Sequence, residues 1–149
     1  MEKAKKATTT PKTASPAAAG KTPRAHGVGR RKSSVARVWL RRGNGTMTIN
    51  GREYKKYFDT EMTRLDAATT MKVVPAAVNY DIEVNVHGGG LTAQAGAVKL
   101  GVARAFVSLD EELRKVLRHH NLLTVDARKK ERKKYGQKAA RRKFQFVKR

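Results

Sequence analysis

The chain has 149 residues, 34 of them Lys or Arg and 12 Asp or Glu, for a formal net charge of +22. Cysteine is absent, which excludes disulfide bridges, a thiol nucleophile and a Cys-type zinc site, and His26, His87, His119 and His120 lack zinc-motif spacing. No apolar run approaches the roughly 18 residues of a membrane span, and a pI near 10.9 points to a polyanionic partner, for which nucleic acid is the usual candidate.

The charge is unevenly spread. Residues 1–32 hold nine basic residues and one acid, residues 33–126 thirteen and ten, and residues 127–149 twelve and one. A nearly balanced middle is thus flanked by two cationic arms. The net +11 of the last 23 residues repels itself, so that arm is expected to stay extended until counter-charge arrives.

Residues 1–26 are rich in Lys, Ala, Thr and Pro without apolar periodicity, and read as a disordered basic extension. They lack the apolar core of a secretory signal. A single Arg and three Pro also disfavour an amphipathic import helix, so a cytoplasmic rather than organellar location is expected. Residues 25–32 are a candidate edge strand. From Ser33 onward Ser34, Ala36, Val38 and Leu40 alternate with Val35, Arg37, Trp39 and Arg41, the period of a strand. Arg42-Gly43-Asn44-Gly45 is a turn signal. Thr46–Asn50 makes a second strand with Met47 and Ile49 on one face, and the two are expected to pair as a hairpin with Asn50-Gly51 as a closing turn.

Tyr54, Tyr57 and Phe58 suit one helical turn. A helix capped by Asp59 or Thr60 and running to about Lys72 is expected to turn Met62, Leu65 and Ala68 inward, with Pro75 ending it. Tyr80–His87 alternates cleanly, with Ile82, Val84 and Val86 facing in, and Gly88-Gly89-Gly90 breaks it. Thr92 is a candidate cap for a long helix whose stripe is Ala95, Val98, Val102, Ala105, Phe106 and Leu109. Gly96 and Gly101 inside that helix cost about 1 kcal/mol each against Ala, so a close approach of sheet or RNA backbone should offset them. Ser108-Leu109-Asp110-Glu111 fits a capping box opening a further helix with Leu113, Val116 and Leu117, and Leu122 and Leu123 tuck back onto the core. The middle therefore reads as a small two-layer α+β domain, residues 27–126, with a modest core.

Four segments are candidates for chemistry. Gly88-Gly89-Gly90 follows a strand and opens a helix, and its amides could receive a phosphate. A dinucleotide fingerprint also needs an acid at the end of a second parallel strand, whereas Asp110 falls in a helix cap. Arg30-Arg31-Lys32, beside glycines expected to be flexible, suits phosphate contacts that carry no sequence information. Trp39, between Arg37 and Arg41, could stack on a base, but a lone strand Trp is more often core under a helix. In the 127–149 arm Tyr135, Phe144 and Phe146 are interleaved with cations, and 23 extended residues could reach roughly 75 Å. No nucleophile and base pair stands out. Two rival classes stay open on the residues alone: a histone-like DNA compactor and a small nucleotide-binding enzyme.

Gly29-Arg30-Arg31-Lys32-Ser33-Ser34-Val35-Ala36-Arg37-Val38 resembles the opening motif of the bacterial-type small-subunit ribosomal protein nine family. So do Gly88-Gly89-Gly90, Gln94-Ala95-Gly96-Ala97 and Leu100-Gly101-Val102-Ala103-Arg104-Ala105, and then Glu131 to Gly136, Arg141-Arg142 and Gln145-Phe146. Several separated motifs agree in order from Gly27 to Arg149. Phe144 and Val147 depart from the Pro and Ser usual in that family.

The resemblance implies a β-β-β-α-β-α fold with a left-handed crossover, like the second domain of small-subunit ribosomal protein five. It implies a non-enzymatic component of the subunit head, without a cofactor or small-molecule substrate. Its partners would be the 3′ major domain of small-subunit rRNA, peptidyl-site tRNA and neighbouring head proteins. By position, Lys148 and Arg149 would approach the tRNA. The rRNA contacts would be Arg30, Arg31, Lys32, Arg37, Gly88, Gly89, Gly90, Arg104, Arg128, Lys129, Arg132, Lys133, Lys134, Tyr135, Lys138, Arg141, Arg142, Lys143, Gln145 and Phe146.

Overall fold

The structure, a computed structural model, describes residues 23–145. Period-two alternation gives two long strands, β1 (Ala25–Arg31) and β2 (Ser34–Arg42), which form an antiparallel hairpin. Ala25 and His26, placed in the N-terminal extension by composition, belong to β1 because the polar and small residues there still pair with Leu40 and Trp39. The rest of the extension that the structure describes is short, and residues 1–22 lie outside it.

The expected pairing of the next strand is wrong. β3 (Met47–Ile49) does not lie beside β2. β5 (Tyr80–His87) sits between them, antiparallel to β2 over eight residue pairs and parallel to β3, so the sheet order is β1-β2-β5-β3-β4. The cause is visible at Asp81. Its Oδ1 accepts the backbone N–H groups of Asn44 and Thr46, each at 3.0 Å, and the Thr46 hydroxyl at 2.8 Å. These bonds draw the Gly43–Thr46 loop around the start of β5 instead of back along β2. Burial alone would raise the Asp81 pKa, but the bonds from Thr46 and Asn44 hold it below its ordinary value. Asn50-Gly51 is a turn, as expected, but it joins β3 to the two-residue β4 (Arg52–Glu53). Both residues have positive φ, 49° and 76°, as a tight hairpin turn requires. The Asn50 side chain also exchanges two hydrogen bonds with the Val86 backbone, each 2.9 Å, which stitches that turn to β5.

After the single turn α1 (Tyr54–Tyr57), helix α2 runs Glu61–Val73 from Thr60 and stops before Pro75, which opens a 3-10 turn to Asn79. Its inward face is not the expected one. Thr63, Ala67 and Thr70 are buried, while Met62 is 77% and Leu65 43% exposed. Small residues at spacings of four and three let α2 lie close to α3, and the buried hydroxyls are satisfied: Thr70 donates to the Lys99 carbonyl at 3.0 Å and Thr63 to the Thr60 carbonyl at 2.8 Å.

Helix α3 (Leu91–Leu109) covers one face of the sheet. It starts two residues earlier than expected, with Gly90 rather than Thr92 at its N-cap. It also runs through Ser108, so no capping box forms there. Asp110 ends α3 and accepts the Glu112 amide at 3.0 Å, and α4 (Leu113–His119) follows. Leu122 is buried and Leu123 packs against the core, as expected. Phe58, Phe106, Leu40, Ile49, Ile82 and Leu117 are the large side chains at its centre. The class is α+β as read from the sequence, and the single turn at Tyr54–Tyr57 and the helix Leu113–His119 were both expected, whereas β4 was not.

Four glycines explain how α3 approaches the sheet edge. A Cβ on Gly27 would fall 2.5 Å from the Ala105 nitrogen, and one on Gly29 would overlap the Ala97 carbonyl oxygen. From the helix side, a Cβ on Gly101 would fall 2.8 Å from Val38 and 3.2 Å from the Gly29 nitrogen, and one on Gly96 would overlap the Arg31 side chain. The close backbone approach expected of these helix glycines is thus found at Gly101, whereas the space at Gly96 is taken by the Arg31 side chain. Gly27 and Gly29 are buried strand residues rather than a flexible linker.

Candidate nucleic-acid interface

The fold gathers three basic or glycine-rich segments at one end of the sheet. The β1–β2 hairpin turns at Lys32, whose φ of 53° is unusual for a residue with a side chain and is held by the strands on either side. Against this tip lies the Gly88–Gly90 loop. Gly88 and Gly89 have φ of 74° and 66°, and a Cβ on Gly88 would fall 2.5 Å from the Ser33 carbonyl oxygen. Gln94 donates to the Gly88 carbonyl at 3.2 Å, and Tyr57 donates to the Gln94 side-chain oxygen at 2.8 Å, so the loop is braced from two helices. The start of the C-terminal arm completes the group: a shallow cleft is lined by Arg30, Arg31 and Lys32 on one side and Val125, Asp126, Ala127 and Lys129 on the other.

Within this group the three cations of the hairpin differ. Arg30 and Lys32 are exposed. Arg31 is turned inward, with its guanidinium 3.6 Å from Asp66 of α2 and 3.6 Å from Asp126. Lys99 also binds Asp66, and Arg128 forks onto Asp126 at 2.8 and 2.9 Å while its amide donates to the same carboxylate at 3.0 Å. Those bonds from Arg128, more than the nearby charge of Arg31, hold the Asp126 carboxyl well below the usual carboxylate range. Arg31 thus ties the hairpin, α2 and the root of the arm together. Sequence reading gave neither Asp66 nor Asp126 a role. The available signal was that Asp126 is the single acid between Glu112 and Glu131, at the boundary of the arm.

The described part of the arm, residues 127–145, contains no helix or strand and no buried residue. It is not fully extended, however. Glu131, the lone acid of the arm, receives a bidentate pair from Arg141 ten residues on, at 2.5 and 3.1 Å, and the Lys138 amide donates to the Arg142 carbonyl at 2.8 Å. The Arg141 hydrogen bonds lower the Glu131 pKa. Like-charge repulsion is locally overridden where one opposite charge exists, although such an exposed pair is worth little in water. Tyr135 is 94% exposed. Phe144 is also exposed, with the Lys138 ammonium 5.6 Å from its ring centre. Lys129, Arg132, Lys133, Arg142, Lys143 and Gln145 are solvent-facing or nearly so, whereas Phe146, Lys148 and Arg149 lie outside the described residues.

Two expected contacts sit elsewhere. Arg104, on α3, donates to the Val28 carbonyl of β1 at 2.7 Å and so covers a polar group of an edge strand. Arg37 is exposed on the face of the sheet opposite α3. Trp39 shares that open face, half-buried, and is not core under a helix as the sequence favoured. Its two neighbours Val38 and Leu40 took the buried positions.

A family profile described as Ribosomal protein S9/S16 matches residues 29–149. Proteins called small ribosomal subunit protein uS9 are similar over most of their length. That of Cytophaga hutchinsonii is 49% identical over 82% of this chain and 95% of its own, and that of Chlorobium chlorochromatii 51% over the same shares. The Borrelia turicatae protein is 47% identical over 83% of this chain and 90% of its own. A match that takes in the glycine-braced hairpin, the Gly88–Gly90 loop and the arm, together with identities near one half, places the chain in the ribosomal protein S9/S16 family.

Proposed function

We propose that this protein is a structural, non-enzymatic constituent of the small ribosomal subunit head. It binds the 3′ major domain of small-subunit rRNA, beside neighbouring head proteins. The observation that carries this reading is the separation of charge from fold within a chain of this family. Residues 33–126 hold a near balance of charge, while residues 127–149 hold twelve cations and one acid, and the described part of that segment is unburied. Such a segment neutralises phosphates, and its exposed Tyr135 and Phe144 offer surfaces for unpaired bases. The hairpin tip and the Gly88–Gly90 loop supply a second cluster at the root of the arm. Arg31 and Asp126 there serve to aim the arm, while Arg30, Lys32 and Lys129 meet phosphate.

Lys148 and Arg149 are assigned to the anticodon stem-loop region of peptidyl-site tRNA. Removing these two residues is expected to leave subunit assembly intact and to weaken peptidyl-site tRNA retention, most strongly at low salt, where the lost cationic contacts are least screened. Subunits reconstituted with the shortened chain provide the measurement, by filter retention of labelled tRNA. Retention equal to that of the full chain across a salt series removes the tRNA role.

A further inference from the structure

Apart from Arg30 at its tip, the open face of the sheet takes no part in the contacts proposed above. Along β1 and β2 it presents His26, Val28 and Arg30 beside Trp39, Arg37 and Val35, in register as cross-strand partners. Trp39 is half-buried, with the His26 ring 5.5 Å from its own and tilted by 47°. Val28 lies diagonally across from it and Val35 two rows along β2, and Arg37 and Arg30 stand in those same two rows, both exposed and without an ion pair among the described residues. The acids on this face begin at β5, where Glu83 lies directly across from Trp39 and Asp81 across from Arg41, the latter taken up by the Asn44 and Thr46 donors. Glu83 is already matched by Arg41 at 2.9 Å, and Glu53 is two strands further away on β4. The β1–β2 half is therefore cationic and aromatic. Through Arg30 it is continuous with the hairpin tip.

We propose that this half of the open face is a separate RNA contact, in which an unpaired base stacks on Trp39 while its flanking phosphates meet Arg37 and Arg30. The proposal rests on the rRNA-binding reading above but names a site that the arm does not supply. A flat indole fixed by a strand and a neighbouring ring loses little freedom on stacking, and sheet surfaces bearing aromatic and basic residues suit splayed single-stranded bases.

Trp39 is the one tryptophan of the chain, so its emission reports this face alone. The full chain is titrated with a transcript of the 3′ major domain of small-subunit rRNA, following filter retention, Trp emission and acrylamide quenching together. Emission is expected to fall with the same midpoint as retention, and acrylamide access to fall severalfold. Trp39→Leu is expected to weaken retention about tenfold. Arg37→Gln, at an exposed position that the fold does not need, should reduce the slope of log affinity against log salt by about 1. Salt-sensitive retention with unchanged emission and quenching, and with both variants behaving as the unaltered chain, overturns this contact and leaves the rRNA-binding reading standing. Absence of retention at any salt overturns that reading as well. Shielding of Trp39 that develops only when other head proteins are added assigns the face to a protein and also overturns the proposal.

Discussion

Gly29 and Arg31 are neighbours but one, and they divide the work of the hairpin. Gly29 has no Cβ because the Ala97 carbonyl occupies that space, which lets α3 reach the edge strand. Gly29→Ala therefore meets backbone that cannot yield, and is expected to destabilise the fold by about 3 kcal/mol in urea unfolding. Gly51→Ala, where nothing lies within 4 Å and only the positive φ is strained, should cost about 1 kcal/mol. Arg31 in turn lends its charge to Asp66 and Asp126. Because Arg128 depresses the Asp126 pKa in the folded chain, the stability their pairing contributes is fully present above the ordinary value of about 3.8. It is lost only as pH falls through the lower folded-state value. Carboxyl NMR should thus find Asp126 ionised throughout the range from about pH 4 to 8, and Arg128→Gln should move its titration upward toward about 3.9. An Asp126 that titrates like a free carboxylate in the unaltered chain contradicts the brace.

At the scale of the elements, β2, β5 and α3 were legible because each carries a long period with a clear contrast between apolar and charged residues. Partner choice was not. Ser34–Leu40 and Met47–Ile49 look like a hairpin in sequence, and only the Asp81 carboxylate, 35 residues from Thr46, shows why the chain passes around β5 instead. The α2 face was misread for a related reason. Hydrophobicity alone selects Met62 and Leu65, but the space against α3 admits only small side chains whose hydroxyls find carbonyl partners. Two substitutions separate these orientations. Met62→Ala should change unfolding free energy by less than about 0.5 kcal/mol, while Ala67→Leu should cost about 2 kcal/mol by overpacking against α3. The reverse ranking would mean that α2 faces the other way. The site was legible in its cations and its glycine loop, which local composition marks directly. The ties through Asp66 and Asp126, and the outward turn of Trp39, depend on which strands and helices become neighbours.

For the whole molecule, a body with little net charge holds a flanking segment with a large one, and the two are joined by the Arg31–Asp126–Arg128 brace. Since no described residue from 127 to 145 is buried, removing residues 127–149 should leave the fold standing and take away most of the phosphate contacts. Each such contact contributes roughly 0.7–0.9 to the slope of log affinity against log salt. The most direct measurement is the salt dependence of binding to the 3′ major domain rRNA, for the full chain and for the chain lacking 127–149, with circular dichroism confirming that both are folded. The slope is expected to fall by at least about 4 on truncation, with affinity at physiological salt reduced by orders of magnitude. Equal slopes for the two folded proteins would contradict the assignment of RNA binding to the arm.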